Sequence, residues 1–316
     1  MELSGGNMKD LARIIAQFTL LLCIVAFTTF SINGSAQEES TTASATCSFQ
    51  DLNLQAFSSS AGGINDVGAV VGSFSTALRA PTGKAFLLFQ GKFTPFTFPG
   101  SVETGAFDIN NHAQIVGAYS DRAGRNHGFL AHSGGFRTID VPGAVNGTFP
   151  NGINNTGDIV GGFVGASGGE RSFLLHQGKF TFFRFPGSVS TEAMSININS
   201  VIVGTYQNTS VGGRTHGFRA RNGVFATLDF PGAVNTFPAK INDLGEIVGS
   251  YQNSDFTTHG FVLAHGKFTT IDKPAEAPQT QTNIRGVNNR SQIVGSFADN
   301  NIFAVLAFQA NCKAVF

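Results

Sequence analysis

The chain has 316 residues, 39 of them Gly and 32 Phe, with no Trp and only 13% charged side chains, about half the ~25% of an ordinary soluble domain. Lys plus Arg and Asp plus Glu both number 20, which leaves no one-sided field for nucleic acid or an anionic membrane surface. A hydrophobic fraction of 41% supplies enough apolar surface to offset ordering entropy, and this excludes disorder.

Residues 14–30 form an apolar run, Ile14 to Phe30, with Lys9 and Arg13 ahead of it. Gly34 and Ala36 are small residues suited to a signal-peptidase site before Gln37. Segment 1–36 therefore reads as a cleaved export signal; an uncleaved anchor is the alternative, since the run just reaches across a bilayer. Leu20-Leu21-Leu22 before Cys23 lacks the small residue that lipidation needs. Residues 37–46 read as a flexible lead-in. The expected location is secreted, periplasmic or cell-surface, with no stable membrane insertion once the signal is removed.

Everything from 47 to 316 is one repeated unit. A hydrophobe-Asn, a turn and x-[Ile/Val]-Val-Gly recur six times, with the Asn at Asn65, Asn110, Asn154, Asn197, Asn242 and Asn288. The spacing is 43 to 46 residues, so six units fill 47–316 and leave no room for another domain. After Val-Gly comes an aromatic, then a polar loop, then a second strand such as His127-Gly128-Phe129 or His259-Gly260-Phe261. A short Gly turn (Gln90-Gly91, Gln177-Gly178, His265-Gly266) opens a third strand with period-two alternation, as in Phe96-Thr97-Phe98. Pro-Gly or Pro-Ala stops it, and a fourth short stretch runs up to the next Ile-Asn.

Three or four short strands in about 45 residues is the period of a propeller and exceeds that of a leucine-rich solenoid. Closure also removes the sticky edges of an open Phe-rich stack. The expected fold is all-β, a single six-bladed β-propeller. Its ends complete one blade: Ala304–Cys312 aligns with the second strand Ala85–Phe93, and Cys47–Leu54 with the third strand Gly91–Phe98. Cys47 and Cys312 then stand where a hairpin turn would join those strands. A disulfide between them is expected in an oxidising compartment; two separate buried thiols are the alternative.

Residues present in every unit serve the blade. The Asn suits a turn in which its side chain bonds backbone two residues on, and Asn154-Asn155-Thr156-Gly157 fits a type I turn with Gly in the left-handed region. Ala113, Ser200 and Ser291 replace that Gly, so those turns differ or are strained. His127, His216 and His259 hold one equivalent slot, which suits blade packing, or less readily a metal ring; Lys84 and Ser172 hold it elsewhere. No nucleophile elbow, phosphate loop or calcium loop is present, and no cofactor is expected.

The polar loop breaks the symmetry. It carries Arg79, Asp121-Arg122, Arg125, Glu170-Arg171, Arg214 and Asp255, with Tyr119, Tyr206 and Tyr251 at its entrance. In a propeller these loops share one face. Arg122, Arg125, Arg171, Arg214 and the three tyrosines are thus the candidate ligand contacts; a merely solvated loop face is the competing reading. Strands and turns repeat nearly verbatim by contrast.

The succession His-Gly-Phe-Leu, Gly-Lys-Phe, Ile-Asn-x-x-Gly-x-Ile-Val-Gly resembles the bacterial HAF-type extracellular repeat across 47–312. His127, His216 and His259 match its His, and Phe86, Phe129, Phe173, Phe218 and Phe261 its Phe. The resemblance implies export and a repeat-built β fold and transfers no activity. The expected function is a monomeric, non-catalytic scaffold for an extracellular protein or glycan. The alternative is an exported hydrolase or lyase acting on a polysaccharide through carboxylates at the channel, as a glycosidase pair requires.

Overall fold

The stretch that leads into each Ile-Asn proves to be the innermost strand of a blade. In the computed structural model, the described residues are 46–313 except 55, 77–82, 167, 210–212, 275–280 and 300–303. The expected export signal, nearly all of the lead-in and Arg79 lie outside them. Their strands form six four-stranded antiparallel sheets. Blades 1 to 5 span 58–96, 103–139, 144–183, 190–227 and 235–271, each with four strands in chain order. The six innermost strands contact one another in a closed ring. The protein is a six-bladed β-propeller.

Blade 6 joins the two ends. Its strands Thr282–Val287, Gln292–Asp299 and Ala304–Lys313 are completed on the outside by Thr46–Asp51. Cys47 pairs with Cys312 across these last two strands and bonds to it, with Cα atoms 4.1 Å apart. In blades 1, 3, 4 and 5 the same place holds a tight turn with two successive positive φ angles, such as Gln90-Gly91 or Gln177-Gly178, the type I′ geometry that suits strand twist. The C-terminal alignment needs a correction of three residues. Phe308 faces Gly295 as Phe86 faces Gly72, so Phe308 is the counterpart of Phe86 and not of Phe89. This strand runs for ten residues and lacks a Gly-Phe marker, which let the register slip in the sequence comparison.

Each blade is centred on one Phe. Phe86, Phe129, Phe173, Phe218, Phe261 and Phe308 are fully buried, each opposite the Gly of Val-Gly. Burying such a ring contributes about 1.5–3 kcal/mol. The Gly is obligatory because the inner strand bulges beside it: a Cβ on Gly72 would stand 2.1 Å from the Ser60 carbonyl and 2.8 Å from the Phe86 ring.

The repeated Asn does more than hold its own turn. Its Oδ1 accepts backbone N–H groups two and four residues on, as Asn242 does from Leu244 and Glu246. Its Nδ2 donates to the backbone carbonyl of the equivalent Asn in the next blade, at 2.9–3.2 Å, all the way round the ring. Six blades are thereby laced into a closed circle at one end of the channel. Ala113, Ser200 and Ser291 take positive φ angles of 54°, 57° and 58°, so they keep the same turn and carry the strain of the left-handed region.

Candidate functional site

The polar loops and the connections between blades lie on the face opposite the Asn ring. Tyr206 and Tyr251 are buried and Tyr119 half-buried. Each ring stacks at 3.7 Å on a Phe from the preceding blade: Phe98 on Tyr119, Phe185 on Tyr206, Phe230 on Tyr251. Their other neighbours are His127, His216 and His259, stacked at 5.0–5.2 Å. The tyrosine hydroxyls meet Thr138, Thr227 and Thr270. Nδ1 of each His pairs with its own Asp, His127 with Asp140, His216 with Asp229, His259 with Asp272, at 2.7–2.9 Å. This Phe–Tyr–His–Asp stack recurs in blades 2, 4 and 5 and seals the seam between blades. The three histidines stay in separate blades, and among the described residues no three His, Cys, Asp or Glu converge as a metal cage would need.

The four arginines differ in what holds them. Arg122 is exposed. Arg125 is exposed and ion-paired with Asp121 at 2.9 Å. The Arg125 backbone N–H, above all, holds the Asp121 carboxyl down to about 2. Arg171 lies 5.9 Å from the rings of both Phe163 and Phe182. Arg214 donates through Nε to the Val234 carbonyl at 2.8 Å and through its guanidinium to that of Ala233. The Arg122–Arg125 loop borders a groove of about 370 Å³ between blades 2 and 3. Arg125, Asn126, His127 and Asp140 form one wall, and Val145, Asn146 and Gly147 the other. The inner strand of blade 3, Ala144–Ile153, is longer than its counterparts and supplies that second wall. Gly147, with φ 101°, lets it pass Asn126.

A second locus of asymmetry was missed by the sequence reading. The inner strands do not repeat verbatim: after a recurrent Ser or Thr they carry Ser60, Gly105, Phe149, Glu192, Phe237 or Asn283 at one position. Two residues on they carry Gly62, Phe107, Asn151, Met194, Ala239 or Arg285, and one further on Asp108 and Lys240 appear. Aligning the six stretches on their Ile-Asn exposes this signal. These residues fill the channel. Lys240 of blade 5 reaches across to pair with the buried Asp108 of the opposite blade 2. Asp108 also accepts the N–H groups of Ile109 and Ile153, both at 2.8 Å. This strut, above the Asn ring, blocks the channel.

On the loop-face side of the strut lies a cavity of about 380 Å³. Phe107, Phe149 and Met194 give it apolar walls, and Asn151, Glu192 and Arg285 project into it. Asn151 donates to Glu192 Oε1 at 2.9 Å. Burial pushes the Glu192 carboxyl up, opposed by that hydrogen bond and by the Arg285 charge. Burial likewise pulls Arg285 down, opposed by Glu192. The two feel each other without an ion pair, and among the described residues no hydrogen bond holds the Arg285 guanidinium. Glu170, at the start of the blade 3 strand Glu170–His176, is a neighbour of Glu192 outside the cavity lining. A Cβ on Gly162 would lie 3.2 Å from Glu170 Oε1 and 3.1 Å from Glu192 Cγ. Burial first, then the Glu192 charge, raises Glu170 to about 7.

No known family model and no curated protein matches the chain. Among solved structures it is similar to a protein of unknown function from Dyadobacter fermentans, at 10% identity over 84% of this chain and 99% of that one, with a TM-score of 0.53. It also aligns with a lectin from Aleuria aurantia in complex with Fucalpha1-6GlcNAc (12% identity, 82% and 96% covered, TM-score 0.49). A third is TolB from Acinetobacter baumannii (12% identity, TM-score 0.47), where 78% of this chain spans 64% of that one. At such identities the likeness concerns the fold alone.

Proposed function

We propose that the protein is an exported, non-catalytic scaffold of the HAF-type repeat kind that binds an extracellular or cell-envelope ligand, protein or glycan, as a monomer. The observation that supports this reading is the groove between blades 2 and 3. It sets a solvent-facing Arg, two Asn side chains and a His–Asp pair on a frame fixed by the Asn ring and the terminal disulfide. Variable polar loops on a rigid frame are where recognition concentrates. Arg favours a carboxylate or sulfate group, which it binds bidentately. Arg122 and Arg125 are the principal contacts, Arg171 and Arg214 extend the face into blades 3 and 4, and the three tyrosines support the loops from beneath. The test is a screen of wild type and an Arg122→Ala/Arg125→Ala variant against acidic glycans and cell-envelope extracts. Loss of a wild-type ligand in the variant is expected; undiminished binding removes this face as the site.

One observation favours a second reading, an exported hydrolase or lyase acting on a polysaccharide. Glu170 and Glu192 are neighbouring carboxyls beside the channel, both shifted upward, and a general acid must hold its proton near neutral pH. Release of new sugar ends by wild type, abolished in Glu170→Gln and Glu192→Gln, decides for this reading. Equal inactivity of all three decides against it.

A further inference from the structure

We propose that the channel cavity is a second ligand site, distinct from the loop-face groove, that takes the terminal residue of a carboxylate-bearing sugar chain, with the carboxylate on Arg285 and hydroxyls on Glu192 and Asn151. The site is built on rigid inner strands rather than on loops. Its volume, about 380 Å³, lies near the lower end of the ~300–1,000 Å³ typical of small-molecule pockets.

The chemistry follows from what each wall leaves unsatisfied. Arg285 is surrounded by protein and yet solvent-accessible, because its side chain stands in the cavity. A guanidinium offers five donors in a planar fork, and among the described residues no hydrogen bond uses them. Leaving such a cation in a partly desolvated cleft is costly, and a ligand carboxylate binding bidentately would offset that cost. Glu192 faces it without closing an ion pair, so a gap separates the two charges. One Glu192 oxygen already accepts from Asn151; the other is free to accept from a hydroxyl. The upward shift of Glu192 makes it a poorer partner for an ammonium group than for a hydroxyl, which argues against a free amino acid. Phe107, Phe149 and Met194 supply the apolar surface that the carbon face of a sugar ring needs, and Ser60 and Ser73 line the same cavity. The Lys240–Asp108 strut blocks the far side, so a chain enters from the loop face and presents its end.

The test pairs two probes that differ only in the carboxylate: a trisaccharide ending in glucuronate and its glucose-terminated counterpart, titrated calorimetrically into the oxidised protein. The acidic probe is expected to bind at least tenfold more tightly than the neutral one. Arg285→Gln should abolish that preference. Arg285→Lys, which keeps the charge and loses the fork, should weaken acidic binding about tenfold and serves should the Gln variant not fold. Binding of the acidic probe that is lost in the Arg285 variants belongs to the cavity, and any separate component lost only in Arg122→Ala/Arg125→Ala belongs to the loop face, so the two readings fail separately. The proposal is overturned if the acidic probe does not bind, if the neutral probe or free glutamate binds equally well, or if both Arg285 variants bind undiminished.

Discussion

Asn288 Nδ2 donates to the backbone carbonyl of Asn65 at 2.9 Å, joining the last blade to the first across 223 residues of sequence. This bond closes the Asn circle near the axis, while at the rim the Cys47–Cys312 bond ties the strand that leads into blade 1 to the last strand of blade 6. Closure is therefore secured both near the axis and at the rim.

Asn288→Ala should be among the costlier single substitutions. It leaves the Asn65 carbonyl without this donor and removes the acceptor used by the N–H groups of Arg290 and Gln292. Each lost buried bond costs about 1–3 kcal/mol, partly recovered by water, so a loss of about 2–4 kcal/mol is expected. Urea unfolding measures it. A loss below about 1 kcal/mol shows that the circle is not a stability element.

Reduction of the Cys47–Cys312 bond frees the outermost strand of blade 6 from its partner. The chain-entropy model assigns about 5 kcal/mol to a crosslink enclosing nearly the whole domain. Thr46–Asp51 is also held by backbone pairing with Ala304–Lys313, so the reduced protein is expected to keep its fold with a lower melting temperature. Calorimetry with and without reductant checks this, with Cys47→Ser/Cys312→Ser as the permanently reduced form. Equal melting temperatures would deny the bond a role in closure.

Lys240→Met leaves Asp108 buried without its cation. Removing one partner of a buried pair costs about 3–5 kcal/mol. Asp108 retains the N–H donors of Ile109 and Ile153, which places the expectation at the lower figure. Adding Asp108→Asn should recover only part of the loss: a neutral amide needs no counter-charge, but its NH2 replaces one of the two oxygens that accept from Ile109 and Ile153. Chemical denaturation of the two variants decides; equal losses would mean that charge is not what the strut balances.

The blade was legible in the sequence because its needs recur. The Gly of Val-Gly, the buried Phe and the turn Asn answer steric and hydrogen-bonding demands that every blade repeats, so six copies announce them. The channel was not legible in the same way. Asp108 and Lys240 lie 132 positions apart, and only ring closure makes them opposite neighbours. Glu192 and Arg285 each occur once, on strands whose Thr and Ile-Asn frame hides the variation between them. Tyr119, Tyr206 and Tyr251 illustrate the converse: as loop-entrance aromatics they suggested contacts, whereas their rings are stacked between a Phe and a His. Loop position marks exposure only when no neighbouring blade covers the residue.

Glu170 gives the stability a pH dependence of definite sign. Its carboxyl moves from an ordinary 4.5 to about 7 in the folded protein, through burial and then the charge of Glu192. The folded state thus holds this proton more tightly than the unfolded chain does. The corresponding stability is fully present below about pH 4.5 and is lost as the pH rises through 7. Because Glu170 is only partly buried, solvent screening reduces the effect to on the order of 1–2 kcal/mol. Glu170→Gln cannot ionise and should be more stable than wild type at pH 8 by that amount, with the advantage shrinking toward pH 4. Other groups titrate in both proteins, so the difference between their stability profiles isolates this carboxyl. Parallel profiles from pH 4 to 8 would show that Glu170 titrates as an ordinary surface acid, and the acid pair beside the channel would lose its distinguishing property.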